Sequence, residues 1–292
     1  MTVNFTKMHG LGNDFVLIDS INQNWLNNTD EKWLSRVATF LCNRRFGIGA
    51  DQLLLLLPSD RADFRMRIFN ADGSEVEMCG NGIRCFARYI WDRGLSQKSP
   101  LEVETLAGII KPERRNSHVR VDMGEPEFRP ERIPLYVDQL DKDRLTPDGR
   151  VINYPLEVED QQFHLSCLSM GNPHCVIVVN DVKSFPVSYF GPILENHQLF
   201  PNRTNVEFIE VISRDEIKMR VWERGAGETM ACGTGASASA VVTALRGLTN
   251  REVTVHLLGG DLFIQWAEDN HVYMTGPATA VFEGSINIPD EV

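Results

Sequence analysis

Two cysteines of this chain sit in the same glycine-rich setting, and the setting occurs twice. Phe64 to Ala87 (FRMRIFNADGSEVEMCGNGIRCFA) and Ile217 to Ala240 (IKMRVWERGAGETMACGTGASASA) align without a gap at an offset of 153 residues. The register sets Met66 on Met219, Arg67 on Arg220, Glu75 on Glu228, Cys79 on Cys232, Gly80 on Gly233, Gly82 on Gly235 and Ala87 on Ala240. The same offset sets Gln52 against Asn205, and an offset of 159 sets Gly12-Asn13 against Gly171-Asn172. A thiol where a glycine loop enters a helix meets free backbone N–H groups and the positive end of the helix dipole. Both favour thiolate and should lower the pKa from about 8.5 towards neutrality. The amides of Gly80, Asn81 and Gly82, and of Gly233, Thr234 and Gly235, form ready anion sites.

If the duplicated halves face each other about a pseudo-two-fold axis, two thiols and two anion sites converge on one cleft. One thiolate then takes a proton from a carbon and the opposite thiol returns one to the other face, which inverts a stereocentre. The anion sites suit a carboxylate whose charge grows as the Cα proton leaves. Two acid–base groups of one type in opposite protonation states make such a reaction reversible. No cofactor is called for: no lysine stands in a Schiff-base setting, and GxGxxG and Walker loops are absent from the sequence. The six cysteines include no CxxC pair and no Cys/His spacing typical of zinc, so no metal is expected.

Stepping outward, each cysteine must be positioned by a strand, a loop and a helix. In the first half, Phe5–Ile18 reads as two short strands around HGLGND. Asp30 can cap a helix with Trp33, Leu34, Val37 and Leu41 on its apolar face, ending near Gly47. LLLLL and residues 64–70 read as strands. The helix after Cys79 carries Ile83, Phe86, Ile90 and Trp91 on one face and stops at Gly94. Strand-like runs at 101–110 and 118–123 close this half, and GEPEFRPERIPL, with three prolines, connects to the second. The second half opens with a variable region (135–165) and then repeats the order. A helix-like or irregular stretch spans 183–200, and the helix ASASAVVTAL is small or apolar on nearly every face, which argues for burial on all sides inside a curled sheet. Strands follow at 253–257, 262–266 and 271–275, and the strand-like tail 279–288 can return to the first half's sheet. The fold expected is α/β (α+β), with two pseudo-symmetric domains, each a curled, mostly antiparallel sheet or barrel around a central helix. Their expected limits are 1–123 with about 278–292, and 124–277.

The 292 residues suffice for two such domains. Apolar content of 42% and charged content of 24% are those of a soluble globular protein. A net charge of −11 argues against nucleic acid and anionic membranes as partners. The longest aliphatic run, Leu53–Leu57, is too short to span a bilayer, and MTVNFTKMHG lacks a signal-peptide pattern, so a cytoplasmic location is expected. There the cysteines stay reduced. Cys42, Cys85, Cys167 and Cys175 lie in apolar periodic segments and read as core residues.

NADGSEVEMCGNGIRCFAR, GNPHCV, PNRTNVEF and WERGAGETMACGTGAS, with KMHGLGNDF and RFGIGADQ, resemble the diaminopimelate epimerase family, in order and over nearly the whole chain. The resemblance implies cofactor-free interconversion of LL- and meso-diaminopimelate, on the way to lysine and peptidoglycan, in a cleft between two similar domains. It makes Cys79 and Cys232 the acid–base pair, with Cys79 the donor and Cys232 the acceptor in the LL-to-meso direction. Carried over motif by motif, the substrate-binding residues are Asn13, Gln52, Asn70, Asn172, Asn205, Glu223 and Arg224, with the amides of Gly80, Asn81, Gly233 and Thr234. A wall with one Arg and one Glu can check the distal centre of a substrate with two ammonium and two carboxylate groups. His174 and Glu223 would support catalysis, while Glu75 and Glu228 need only brace the loops. Ser237 stands where relatives often have another cysteine, and Met78 and Met230 where other types are common. Phe282 stands where some relatives have a tyrosine linked to dimer contacts, so a homodimer is implied. Two alternatives compete: a racemase of another amino acid such as proline, and a thiol–disulfide switch pairing Cys79 with Cys232. The first would leave the polar wall unpaired, and the second leaves it unexplained.

Overall fold

The structure is a computed structural model that describes residues 1–23 and 30–289; positions 290–292, counted with the first half above, lie outside them. The chain divides into two compact units, Met1–Val121 with Gly276–Val292, and Asp122–Thr275.

In the first unit the strands run in spatial order Thr279–Asn287, Thr2–Gly10, Asn13–Asp19, Gln52–Leu57, Phe64–Asn70, Val103–Thr105 and Gly108–Ile110. Pairing is antiparallel except between Asn13–Asp19 and Gln52–Leu57, and between Phe64–Asn70 and Val103–Thr105. The expected run 101–110 is thus a hairpin, turned at Leu106-Ala107. The tail strand pairs with the first, from Thr2 opposite Asn287 to His9 opposite Thr279. The run QLLLLL is buried on both faces, as a strand between two layers must be. Leu53 and Leu55 join the cluster under helix α1 (Glu31–Cys42), with Leu34, Val37 and Leu41. Asp30 caps α1 by accepting from the Lys32 amide, and the helix ends at Cys42, five residues before Gly47. Leu54 turns the other way, towards Gly82 of helix α2 (Gly80–Asp92). α2 touches five neighbouring strands of this sheet, from Thr279–Asn287 through Phe64–Asn70.

The second unit repeats this plan. Its strands run Tyr154–Val158, Gln161–Ser169, Pro173–Val178, Asn205–Val211, Glu216–Glu223, Glu252–Leu257, Gly260–Trp266 and Val272–Gly276. Pro173–Val178 and Asn205–Val211 pair in parallel with His174 opposite Asn205, as Phe15 stands opposite Gln52 in the first unit. Helix α3 (Val187–Glu195) occupies part of the stretch left open as helical or irregular. The variable region holds two short 3-10 turns, Val137–Gln139 and Lys142–Arg144, and the hairpin of Tyr154–Val158 with Gln161–Ser169, while a third turn, Pro130–Arg132, lies in the connection before it. Helix α4 (Gly233–Leu245) buries ten of its thirteen residues and touches strands from Gln161–Ser169 through Gly260–Trp266. Cys42, Cys85, Cys167 and Cys175 are buried. No helix among the described residues is long and apolar enough to cross a membrane.

The paired Arg and Glu of the repeat brace the loops identically. Arg67 forks onto Glu75 at 2.7 and 2.8 Å, and Arg220 onto Glu228 at 2.7 and 3.1 Å. Each pair ties its strand to the two- or three-residue strand that leads into the cysteine.

Candidate active site

Cys79 and Cys232 each occupy the N-cap of the central helix of their unit. Their backbones are extended (φ −138°, ψ 117° and φ −123°, ψ 113°), so the sulfur turns back over the first helical turn. Each sulfur accepts from the amide three residues on, Gly82 or Gly235, at 3.4 Å. Both helices begin with glycine, and in the second a neighbour crowds that position: a Cβ on Gly233 would lie 2.8 Å from Met274 Sδ.

Around Cys79 the first unit arranges amides. The thiol donates to Asn13 Oδ1 at 3.7 Å, and the same oxygen accepts from Asn81 Nδ2 at 3.2 Å. Asn13 Nδ2 donates to Asp51 Oδ2 at 2.8 Å. Gln52 Nε2 donates to Asn70 Oδ1 at 2.8 Å, and Asn70 passes its own N–H to Ser74 Oγ at 3.0 Å. Gln52 Oε1 is buried and lacks a hydrogen-bond partner among the described residues, so it is an acceptor a bound donor could satisfy.

Around Cys232 the second unit arranges charge. His174 Nδ1 and Glu207 Oε1 are 2.7 Å apart with both side chains fully buried, and His174 Nε2 meets Asn172 Oδ1 at 2.9 Å. Glu207 Oε2 is buried without a partner among the described residues. Glu223 accepts from Thr229 Oγ1, and Thr234 Oγ1 lies 3.5 Å from the Cys232 sulfur. Asn205 is committed to the main chain: its Nδ2 donates to Pro173 O at 2.9 Å and its Oδ1 accepts from the Arg224 amide at 3.0 Å. It therefore fixes GNPH against WERG. The exposed Arg224 guanidinium reaches Asn202 O at 3.3 Å.

One expectation is corrected. The helix end was expected to lower the thiol pKa at both cysteines, but burial pushes Cys232 well above its ordinary range, and the carboxylates of Glu223 and Glu207 push the same way. The Thr234 hydroxyl and the Gly235 amide oppose this and lose, because desolvation of a thiolate outweighs one weak N–H contact. Burial likewise raises Glu223, against the hydrogen bonds from Thr229 and Cys232. Burial and the two carboxylates thus favour the Cys232 thiol over its thiolate.

Sequence reasoning passed over Glu207, Asp51 and Arg84. The repeat carried a signal for all three: Glu207 falls on Leu54, Arg84 on Ser237 and Asp51 on Thr204, so a charge stands where the other half is uncharged.

The diaminopimelate epimerase family model matches residues 5–129 and 166–281. The chain is 56% identical over 288 residues to the diaminopimelate epimerase of Moorella thermoacetica, covering 97% of this chain and 98% of the relative. It is 53% identical over 287 residues to that of Pelotomaculum thermopropionicum, with the same coverage. Among solved structures, a phenazine biosynthesis protein of the PhzF family from Bacillus anthracis superposes with a TM-score of 0.70 at 19% identity, over 99% of this chain and 100% of that one. A hydroxyproline epimerase from Agrobacterium vitis gives 0.64 at 15% identity, over 98% and 91%. These two share the fold, and the sequence relatives decide the family. The chain belongs to the diaminopimelate epimerase family.

Proposed function

We propose that the diaminopimelate epimerisation assigned by this family is carried out by Cys79 and Cys232 as an acid–base pair, without cofactor or metal. The observation that supports it is the pair of cysteines capping equivalent helices, each with its sulfur over the first-turn amides. One thiolate takes the Cα–H as a proton, and the electron pair stays on the carbon beside the carboxylate. The other thiol gives its proton to the opposite face, so each turnover exchanges the two protonation states and proton exchange with water restores them. The Gly80, Asn81, Gly233 and Thr234 amides hold the carboxylate as its charge grows. Asn13, Gln52, Asn70, Asn172, Asn205, Glu223 and Arg224 recognise the remaining polar groups, with His174 and Glu223 supporting proton transfer.

Burial and the nearby carboxylates favour the Cys232 thiol over its thiolate, so its use as the base in the LL-to-meso direction first requires that proton to leave. The reading includes a cytoplasmic, reducing location, and a homodimer through the tail strand, where Val281 and Phe282 are 56% and 50% exposed.

The test is proton NMR of the reduced protein with LL-diaminopimelate in D2O. Loss of the Cα–H signal with appearance of the meso isomer is expected, unchanged after treatment with hydroxylamine or a chelator. Cys79→Ala and Cys232→Ala should each abolish epimerisation. Full activity in either variant would remove that residue from the pair, and exchange of proline alone would overturn the substrate.

A further inference from the structure

A fully buried arginine stands one turn beyond Cys79. Arg84 is 0% exposed, a state that guanidinium groups almost never adopt without a specific reason. Its Nη2 donates to Asn81 Oδ1 at 2.8 Å, its Nη1 to Gly80 O at 3.1 Å and its Nε to Pro277 O at 3.2 Å. The strand Thr2–Gly10 ends in glycine over this group, where a Cβ would come 3.1 Å from Nη2. The contacts continue as a chain. With its oxygen on Arg84, Asn81 must turn its NH2 outward, onto Asn13 Oδ1. Asn13 then turns its own NH2 onto Asp51 Oδ2. A cation at one end and a carboxylate at the other leave both amides one orientation each, and that orientation presents the Asn13 carbonyl to the Cys79 sulfur.

We propose that Arg84 is a positioning residue for Cys79: its guanidinium is the fixed positive charge beside that thiol and, with Asp51 at the far end, it sets the Asn81 and Asn13 amides in front of it. The two protonation states that a two-base reaction alternates between are then both provided for. The thiol donates to Asn13 Oδ1, and the thiolate is held by the Gly82 amide and by the nearby cation. Burial lowers the Arg84 pKa, and it is opposed first by the adjacent Cys85 and then by Cys79, whose charge and that of Arg84 stabilise each other.

The duplicated unit makes the opposite choice at each equivalent position. Arg84 is replaced by Ser237, Leu54 by Glu207, Asn70 by Glu223 and Phe15 by His174. Ser237 is equally buried, but its hydroxyl only returns to Gly233 O at 2.9 Å. One half thus offers its cysteine a cation and the other offers carboxylates. The remaining charged or titratable groups along the Cys79 wall are Cys85 on the same helix, Asp51 with Arg44 and Asp14, Lys7 on Asp14, and His9, whose Nδ1 accepts from the Gly12 amide.

The inference rests on Cys79 being a reacting group, and its test does not depend on turnover. Reduced protein is alkylated with iodoacetamide from pH 6 to 10, and the Cys79 and Cys232 peptides are quantified separately by mass spectrometry. Arg84→Gln should move the Cys79 midpoint upward, slowing its alkylation at pH 7 about tenfold, the effect of one pKa unit. Arg84→Lys, which keeps the charge, should restore the rate to within about threefold, and the Cys232 profile should stay put in both. Asp51→Asn removes the opposing charge and frees Asn13 to turn, so it should speed Cys79 alkylation. A purely structural Arg84 would lower stability without moving either midpoint. A folded Arg84→Gln protein with a wild-type Cys79 profile would overturn the proposal. Should Arg84→Gln fail to fold, an Asp51→Asn protein with an unchanged or slower Cys79 reaction would overturn it equally.

Discussion

Replacing Gly82 and Gly235 by alanine puts the same methyl group at two equivalent positions and should give two different outcomes. In α2 the new Cβ would lie 3.3 Å from Leu54 Cδ2, 3.4 Å from Cys79 Cβ and 3.5 Å from Phe15 Cε1. Those side chains can shift by a few tenths of an ångström, and Gly→Ala in a helix returns about 0.4–1 kcal/mol, so Gly82→Ala should stay within about 1 kcal/mol of the wild type. In α4 the Cβ would lie 2.7 Å from Glu207 Oε1 and 3.2 Å from its Cγ. Glu207 cannot yield without losing its 2.7 Å contact with His174. Overpacking costs about 1–3 kcal/mol and a charged hydrogen bond about 1.5–3 kcal/mol, so after the helix gain Gly235→Ala should lose roughly 2–5 kcal/mol. For a unit of this size that is a fall in Tm of roughly 5–15 °C. Differential scanning calorimetry of both variants measures it, with each unit fitted by its own transition. Equal losses at the two positions would refute the claim that a buried carboxylate, rather than the glycine itself, makes the second helix end intolerant.

Alkali should weaken the fold through the core thiols. Burial raises Cys42 and Cys85 from 9.0 to about 12, so the unfolded chain ionises first; stability is full below pH 9 and is lost as pH rises towards 12. Each thiol should contribute a loss of about 1.4 kcal/mol per pH unit across that window, and urea titrations of Cys85→Ala against wild type should show one such slope removed. Glu75→Gln and Glu228→Gln each break a forked pair whose side chains are 22% and 23% exposed at the carboxylate. A loss of about 1–3 kcal/mol by urea unfolding is expected for each. If the proposed homodimer forms through the tail strand, Phe282→Asp should sediment as a monomer while wild type and Phe282→Tyr sediment as dimers; a monomeric wild type would refute it.

The repeat was legible because it is written in residue types that have few substitutes. A thiol capping a helix, a glycine beneath a crowding side chain and an Arg–Glu fork each constrain identity, and Cys79/Cys232, Gly82/Gly235 and Arg67–Glu75/Arg220–Glu228 all survived duplication. α2 followed from the period of its apolar face, α4 from a sequence small or apolar on nearly every face, and the tail from its strand-like run. What escaped depends on contacts between segments far apart in sequence. Arg84 sits in a helix whose polar positions ordinarily face water, and only the packing of Gly10 and Pro277 over it makes it internal. Glu207 lies in VEFIEV, an alternating strand in which a carboxylate reads as the solvent face until His174 arrives from the neighbouring strand. The Cys232 thiol was misjudged for the same reason: the helix dipole is local and visible in sequence, whereas burial and two carboxylates are not.

The tail strand Thr279–Asn287 also bears on how the chain assembles during synthesis. It pairs with Thr2–Gly10 along its length, and the Met1 amine donates to Ile288 O at 2.8 Å. The sheet around Cys79 therefore cannot close until everything in the second unit has been translated. The second unit, continuous from Asp122 to Thr275, meets no such delay. A ribosome would carry a finished second unit beside an unfinished first one, with the flank of Thr2–Gly10 still open to other strands. Nascent chains arrested before residue 279 should thus show protease resistance in the later-made half first, the reverse of the order in which the two halves begin.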